Sequence, residues 1–417
     1  MTLSRDQKIS RFIAILTVGF ICAAYFYYLR GLYRGDGFPD NTFLLPVVFD
    51  DFQSLIYGWH DSQFAGVGYG HVYYPGAYLI VAPFTALVYA HMMHGFERGV
   101  LVFETLLCGS LFLISWKYLK AKSLFDTASR AYICTFLTYP IMFAMVTANF
   151  EGMLFIFLAL FIILYRSGRV ALSLPFLGLS IAMKFMPAVF LLLLLADKRY
   201  RETAYAILWT AFFTLLPLLI FHGGLRDGLS PFLSNLRASQ AMYFNLMVIN
   251  RPGNHFGHSL LNSTRILLGQ TAALSPQFLN GYMAFALACF AGIAFYVWKV
   301  EKVYWKQVTL LACCFCLLPY TSTDYKLLHF YMPAYLFLNA EESDGLDFLY
   351  VALFGLLMIP KSYFKFYHLD FYTSNGPINS FAMLALTMTI IVVGLRRRTF
   401  PLNGSATSAA FLDSGAP

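Results

Sequence analysis

Thirteen apolar runs, recurring almost from end to end, leave this chain few ways to fold. They lie near 12–29, 76–93, 99–117, 131–148, 152–165, 170–183, 186–196, 203–221, 278–298, 307–320, 327–340, 347–360 and 379–395. Runs of this kind cross or enter a bilayer as helices, although several are too short to cross untilted. With 59% hydrophobic and 12% charged residues over 417 positions, a water-soluble fold would expose apolar surface that nothing could cover. In lipid the same side chains face acyl chains, and helices satisfy the backbone internally. The expected fold class is an all-α polytopic membrane protein, a helical bundle of about 11–13 membrane segments.

Cations assign the two sides. Arg5, Lys8 and Arg11, then Lys117, Lys120, Lys122 and Arg130, then Arg166 and Arg169 flank apolar runs. So do Lys198, Arg199 and Arg201, then Lys299, Lys302 and Lys306, and finally Arg396, Arg397 and Arg398. Such clusters stay on the cytoplasmic side, which puts both termini inside and makes a bacterial inner membrane the expected location. The net charge of +8 is then a membrane signature, and no nucleic-acid partner is expected. Parity requires one segment not to cross. The run at 76–93, interrupted by Pro83 and followed by His94 and Gly95, is read as re-entrant or broken. Residues 1–398 then form one membrane domain, and 399–417 a flexible cytoplasmic tail.

This topology collects four polar stretches outside: a first loop over 30–75, a turn at 149–152, a long loop over 222–258 and a turn at 321–326. The first loop carries Asp50 and Asp51, followed by an aromatic, glycine-rich stretch read as interfacial helices and turns. Abutting carboxylates that point the same way raise one another's pKa, which suits a general base. Asn149 and Glu151 end an apolar run, where an acid needs water or a partner. Lys184 interrupts another run, placed either to hold a phosphate or to snorkel to the interface. Arg226, Arg237, Arg251, His255, His258 and Arg265 put cations on the outer side, against the usual bias, and call for an anionic headgroup or phosphate. Asp324 and Lys326 sit two apart in the last turn, suited to a sugar hydroxyl and a phosphate or to a plain charge pair.

Other features carry less. All seven cysteines fall in apolar runs and read as small buried hydrophobes; the group Cys313, Cys314 and Cys316 lacks a second ligand cluster for a metal. The run at 12–29 ends in Tyr25, Phe26, Tyr27 and Tyr28, unlike a cleaved leader, so it reads as the first helix. No direct or inverted repeat is visible between the halves, which weakens a transporter reading.

Taken in order, several short motifs form a set. They are Asp51-Phe52, Tyr74-Pro75, Asn149 with Glu151, Gly178 with Lys184 and Pro187, Ser259-Leu260 with Arg265, and the turn from Ser322 to Lys326. The set resembles glycosyltransferase family 87 over about the first 340 residues. The resemblance implies a GT-C-type bundle that acts outside the cytoplasm with a polyprenyl-phosphate sugar, often mannose, as donor. It implies Asp51 as the catalytic acid, with Asp50 its neighbour. The last turn lacks the tryptophan and paired histidines of many relatives and offers His329 instead, which leaves the sugar and the acceptor open.

The expected activity is inverting transfer of one sugar from a polyprenyl-phosphate donor to a hydroxyl of a lipid or glycan acceptor. Asp51 would be the base, and Lys184, Lys326 and Arg265 would face the departing phosphate. Asn149, Glu151, His258, Ser259, Asp324 and His329 complete the substrate-binding set. No cofactor and no metal are expected, since side chains can neutralise a monophosphate leaving group. Two rivals use the same charges. A lipid flippase would move its substrate without covalent change, and an envelope glycan ligase or polymerase would act through Arg226, Arg237, Arg251 and His258.

Overall fold

The computed structural model describes residues 2–34, 49, 51–56, 74–90, 94–220, 257–268, 274–361 and 375–399, with scattered positions between 230 and 249. Asp50, Arg226, Arg251, His255, most of both long loops and the tail beyond 399 lie outside the described residues. Every named element is helical, and the one β-bridge among the described residues joins Gly257 to Thr323.

The chain begins with α1 (Arg5–Arg34) and a short helix α2 over 51–56, then a 3-10 turn Pro75–Ala77 leading into α3 (Tyr78–Ala90). There follow α4 (Gly95–Tyr118), α5 (Leu124–Phe136), α6 (Tyr139–Thr147), α7 (Glu151–Arg166) and α8 (Val170–Met183). A 3-10 turn Met186–Phe190 enters α9 (Leu191–Ala196), followed by α10 (Tyr200–Ile220), α11 (Leu260–Leu267), α12 (Pro276–Lys299) and α13 (Tyr304–Leu317). Last come the 3-10 helix Asp324–Phe330 running into α14 (Tyr331–Leu338), then α15 (Asp347–Met358) and α16 (Asn375–Thr399). Five helices, α1, α4, α10, α12 and α16, are long and apolar enough to cross a membrane; the pair α5 and α6, bent by 55°, makes a sixth if it is one span. The protein is an all-α polytopic membrane protein.

Several apolar runs proved to be two helical pieces, and proline explains the joints. Pro140 stands in the first turn of α6 and has no N–H to give the carbonyl of Phe136, so α5 cannot run on into α6, and Thr138 between them is extended. Pro187 opens the turn after α8, and Lys184 caps α8 with extended backbone. Pro333 has no N–H to give the preceding turn, so the run at 327–340 starts as a 3-10 helix and becomes α only from Tyr331. Between α8 and α10, Gly178 permits contact closer than any side chain would: a Cβ there would sit 2.6 Å from the Cβ of Trp209.

Contacts gather the basic clusters at one end of the bundle. The Arg5 guanidinium donates to Asn339 Oδ1 and to the carbonyls of Tyr118 and Lys120. Lys8 donates to the Ala340 carbonyl, Lys306 pairs with Asp344 at 2.6 Å, and Tyr165 bonds Asp197. The opposite end holds Asp51, the 149–152 turn, Lys184 and the 321–326 turn. Tyr74 N–H donates to the Met183 carbonyl there, and a Cβ on Gly95 would meet the Val88 carbonyl oxygen at 2.0 Å. A Cβ on Gly99 would meet both Val88 and Phe52, so both ends of the Pro75–Ala90 segment lie at the site end.

Candidate functional site

Asp51 stands on a small platform held from below by aromatic packing. Its neighbour Phe52 is fully buried among Phe84, Phe96, Phe103 and Phe150, with ring centroids 5.7 to 5.9 Å away. Behind it Phe49 takes a left-handed φ of 61° and donates its N–H to the Val146 carbonyl at 2.6 Å. A bulky residue held in that region is strained, and such strain persists only where surrounding contacts determine the backbone. Anchored on both sides, the Asp51 carboxylate is half-buried and receives a hydrogen bond from Asn149 Nδ2 at 2.8 Å.

Asn149 works in two directions, because its own Oδ1 accepts the Glu151 N–H at 2.8 Å and so satisfies the first backbone donor of α7. Glu151 is fully buried, and both its oxygens are engaged. Lys184 Nζ approaches Oε2 at 2.5 Å, and His329 Nε2 lies 3.0 Å from Oε1. The positive end of α7 adds to the preference for a charged carboxylate there. Lys184 also lies 5.5 Å over the Tyr325 ring, and Lys326 Nζ lies 5.0 Å over Phe315. Burial lowers the Lys326 pKa, an effect that Glu151 opposes and Lys184 reinforces.

A second cluster is centred on Asp324. Its Oδ2 accepts the Tyr139 hydroxyl at 2.8 Å; its Oδ1 lies 2.9 Å from His258 Nδ1 and accepts Asn379 Nδ2 at 3.3 Å. On the far side of the ring, His258 Nε2 is 3.0 Å from Ser322 Oγ. Since Asp324 accepts at Nδ1, the consistent tautomer carries its proton there and takes the serine proton in hydrogen bonding at Nε2. Burial lowers the His258 pKa against the pull of Asp324. Lys361 stands nearby, 5.8 Å from the Tyr139 ring, and burial drives its pKa down to about 7, with Asp324 opposing.

The structure thus joins Asp51, Asn149, Glu151, Lys184 and His329 in one chain of polar contacts. It joins His258 with Asp324 in another, and Lys326 lies on the same 3-10 helix as Asp324 and His329. Ser259 caps α11 through Asn262 N–H and donates to the Tyr320 carbonyl. Arg265 is buried and donates to the Val248 carbonyl at 2.6 Å. Sequence reasoning missed Tyr139, Asn379 and Lys361. Each left a faint signal: a tyrosine before a helix-breaking proline, an amide in an apolar helix, and a lone lysine after Pro360.

An apolar cavity of about 710 Å³ is walled by Phe185, Val189, Tyr282, Ala286, Phe290 and Leu318 among others. Its lining includes Thr321, and Phe185 directly follows Lys184. Among the described residues no three His, Cys, Asp or Glu side chains are gathered to hold a metal ion.

A family model described as glycosyltransferase family 87 matches residues 71–320. No curated protein and no solved structure matches the chain.

Proposed function

Because the chain belongs to glycosyltransferase family 87, we propose that it transfers a sugar, mannose foremost, from a polyprenyl-phosphate donor to a hydroxyl of a lipid or glycan acceptor. The transfer inverts the anomeric centre. The observation that carries this reading is the continuous contact from Asp51 through Asn149 and Glu151 to Lys184, together with an apolar cavity whose lining begins at Phe185, the next residue in the chain. An acid, fixed cations and an apolar trough are what a lipid-linked phosphosugar requires at one place.

In the proposed reaction the acceptor oxygen attacks the anomeric carbon as the bond from that carbon to the phosphate oxygen breaks. Asp51 Oδ takes the acceptor proton. The leaving lipid phosphate gains one negative charge, which Lys184 and Lys326 stabilise in this reading. Lys184 is held by Glu151, its side chain is 19% exposed, and in this reading it meets the phosphate as the chain's fixed positive charge. Glu151 and Asn149 hold the machinery in register, and the prenyl chain lies along the cavity wall. The site faces the extracytoplasmic side of a bacterial inner membrane in this reading, with both termini cytoplasmic.

The test is to incubate lipid-reconstituted protein with polyprenyl-phosphate-[14C]mannose and a crude lipid acceptor extract, comparing wild type with Asp51→Asn. Labelled product from wild type alone supports the reading. Product that survives the substitution removes Asp51 as the base. Failure with every polyprenyl-phosphate sugar, together with transbilayer movement of an intact glycolipid, overturns the reading in favour of a flippase.

A further inference from the structure

We propose that Asp324 is a positioning residue that grips no sugar: it ties three segments together so that the 3-10 helix Asp324–Phe330 presents Lys326 and His329 to the phosphate end of the site. This deepens the reading above and rests on it for the identity of the anion.

Three observations lead there. Asp324 is completely buried, and its two oxygens already receive three protein donors, from α6 (Tyr139), from the segment before α11 (His258) and from α16 (Asn379). A carboxylate so engaged has little left to offer a substrate hydroxyl. The surrounding backbone is stitched at the same point. His258 N–H donates to the Ser322 carbonyl at 2.8 Å, Gly257 bridges Thr323, and Ser380 Oγ donates to the His258 carbonyl at 2.7 Å. Finally, the helix that Asp324 opens carries Lys326 two residues on and His329 five residues on, and His329 closes on Glu151 at 3.0 Å. Anchoring its first residue fixes the direction in which both side chains project.

His258 is arranged like the middle member of a serine, histidine and aspartate relay, with Ser322 on Nε2 and Asp324 on Nδ1. Ser322 is itself buried and its carbonyl is used by His258, so the relay serves here as a strut. Its function is to keep Asp324 oriented.

The assignment makes a prediction of opposite sign to simple electrostatics. Removing an acid close to a phosphate site ordinarily strengthens anion binding. If Asp324 positions Lys326, Asp324→Asn instead weakens it, by about tenfold, the worth of one charge-assisted hydrogen bond. The probe is farnesyl phosphate, which carries no sugar, titrated calorimetrically into nanodisc-reconstituted protein. Tyr139→Phe, which removes one hydroxyl and keeps the packing, weakens binding about threefold on the same grounds. Asp324→Asn weakens binding less when Lys326 is already alanine than it does in wild type. Unchanged or tighter binding by Asp324→Asn, in protein that melts like wild type, overturns the proposal. A second arm maps lysine reactivity with an amine-directed reagent by peptide mass spectrometry. Lys326 is protected in wild type and labelled in both Asp324→Asn and Tyr139→Phe; equal protection in all three also overturns the proposal. If wild type binds no farnesyl phosphate, the lipid-phosphate donor reading fails, and the labelling arm alone decides the role of Asp324.

Discussion

Glutamate 151 offers the sharpest energetic test, because its removal leaves charges in a place that water barely reaches. The carboxylate is fully buried between Lys184 at 2.5 Å and His329 at 3.0 Å. Taking one partner from a buried ion pair costs about 3–5 kcal/mol, since the remaining charge loses its compensation. Here the orphaned Lys184 side chain is 19% exposed and regains some solvation, whereas Lys326 stays buried. Glu151→Gln therefore belongs near the lower end, at about 3 kcal/mol. Lys184→Met leaves Glu151 bonded to His329 and costs less, about 2 kcal/mol. Removing both charges relieves part of each loss, so the double variant falls short of the sum by about 1.5 kcal/mol or more. The measurement is unfolding of purified protein in mixed micelles by increasing fractions of sodium dodecyl sulfate, followed by circular dichroism. Additive losses, or a Glu151→Gln protein within about 1 kcal/mol of wild type, would refute the claim that a mutually dependent ion pair organises this end of the bundle.

Three further outcomes follow from the geometry. Phe52→Ala empties the centre of a five-ring cluster and costs about 3–5 kcal/mol in the same assay; Phe52→Leu costs less and keeps more transferase activity, because the Asp51 platform is better preserved. Equal activity in the two variants would separate Asp51 from that platform. Lys361 has a folded pKa of about 7 against 10.5 ordinarily, so between those values the unfolded chain binds more protons than the folded one. Stability rises with pH through that window, and the gain is lost as pH falls through about 7. Lys361→Met removes this increment from the melting temperatures of micelle-solubilised protein, and parallel wild-type and variant curves would contradict it. Ala286→Trp narrows the apolar cavity and raises the KM for a long polyprenyl donor by about tenfold while leaving a short-chain donor nearly unaffected. An equal effect on both donors would place the chain elsewhere.

What the amino-acid sequence disclosed, and what it withheld, follows from the range of each interaction. Membrane class and helix positions depend on local runs of apolar residues, and those runs reappear as helices, broken where Pro140, Pro187 and Pro333 require it. Glu151 and Lys184 stood out because charge in an apolar run is costly and therefore conspicuous. Their pairing did not, since 33 residues separate them, and 178 separate Glu151 from His329. Asp324 was recognisable as an acid in a turn, but its three donors come from α6, from before α11 and from α16, a juxtaposition no local pattern records. Tyr139 and Asn379 resembled ordinary helix residues until the fold aimed them at a buried carboxylate.

A common structural reason underlies the placement of these groups. Asn149 precedes α7 beside Ala148, which has a left-handed φ of 45°; Lys184 closes α8 in extended backbone; Asp324 opens a 3-10 helix; Lys361 follows α15; and Asp51 begins α2. Each therefore sits where a helix starts, stops or changes pitch. Continuous helices satisfy their own backbone and present side chains to lipid or to neighbouring helices, whereas interrupted ones leave amides and carbonyls that require partners. In an apolar surrounding, irregular backbone is tolerated where protein encloses it or where it lines a polar cavity. Gathering the interruptions at one end lets them satisfy one another: Asn149 accepts the Glu151 N–H, Ser259 bonds the Tyr320 carbonyl, and His258 bonds the Ser322 carbonyl. The same arrangement brings acids and lysines within reach of a single ligand. Straightening one break, for instance by Pro187→Ala to extend α8 past Lys184, would turn that lysine away from Glu151 and should abolish transfer while leaving the apolar core packed.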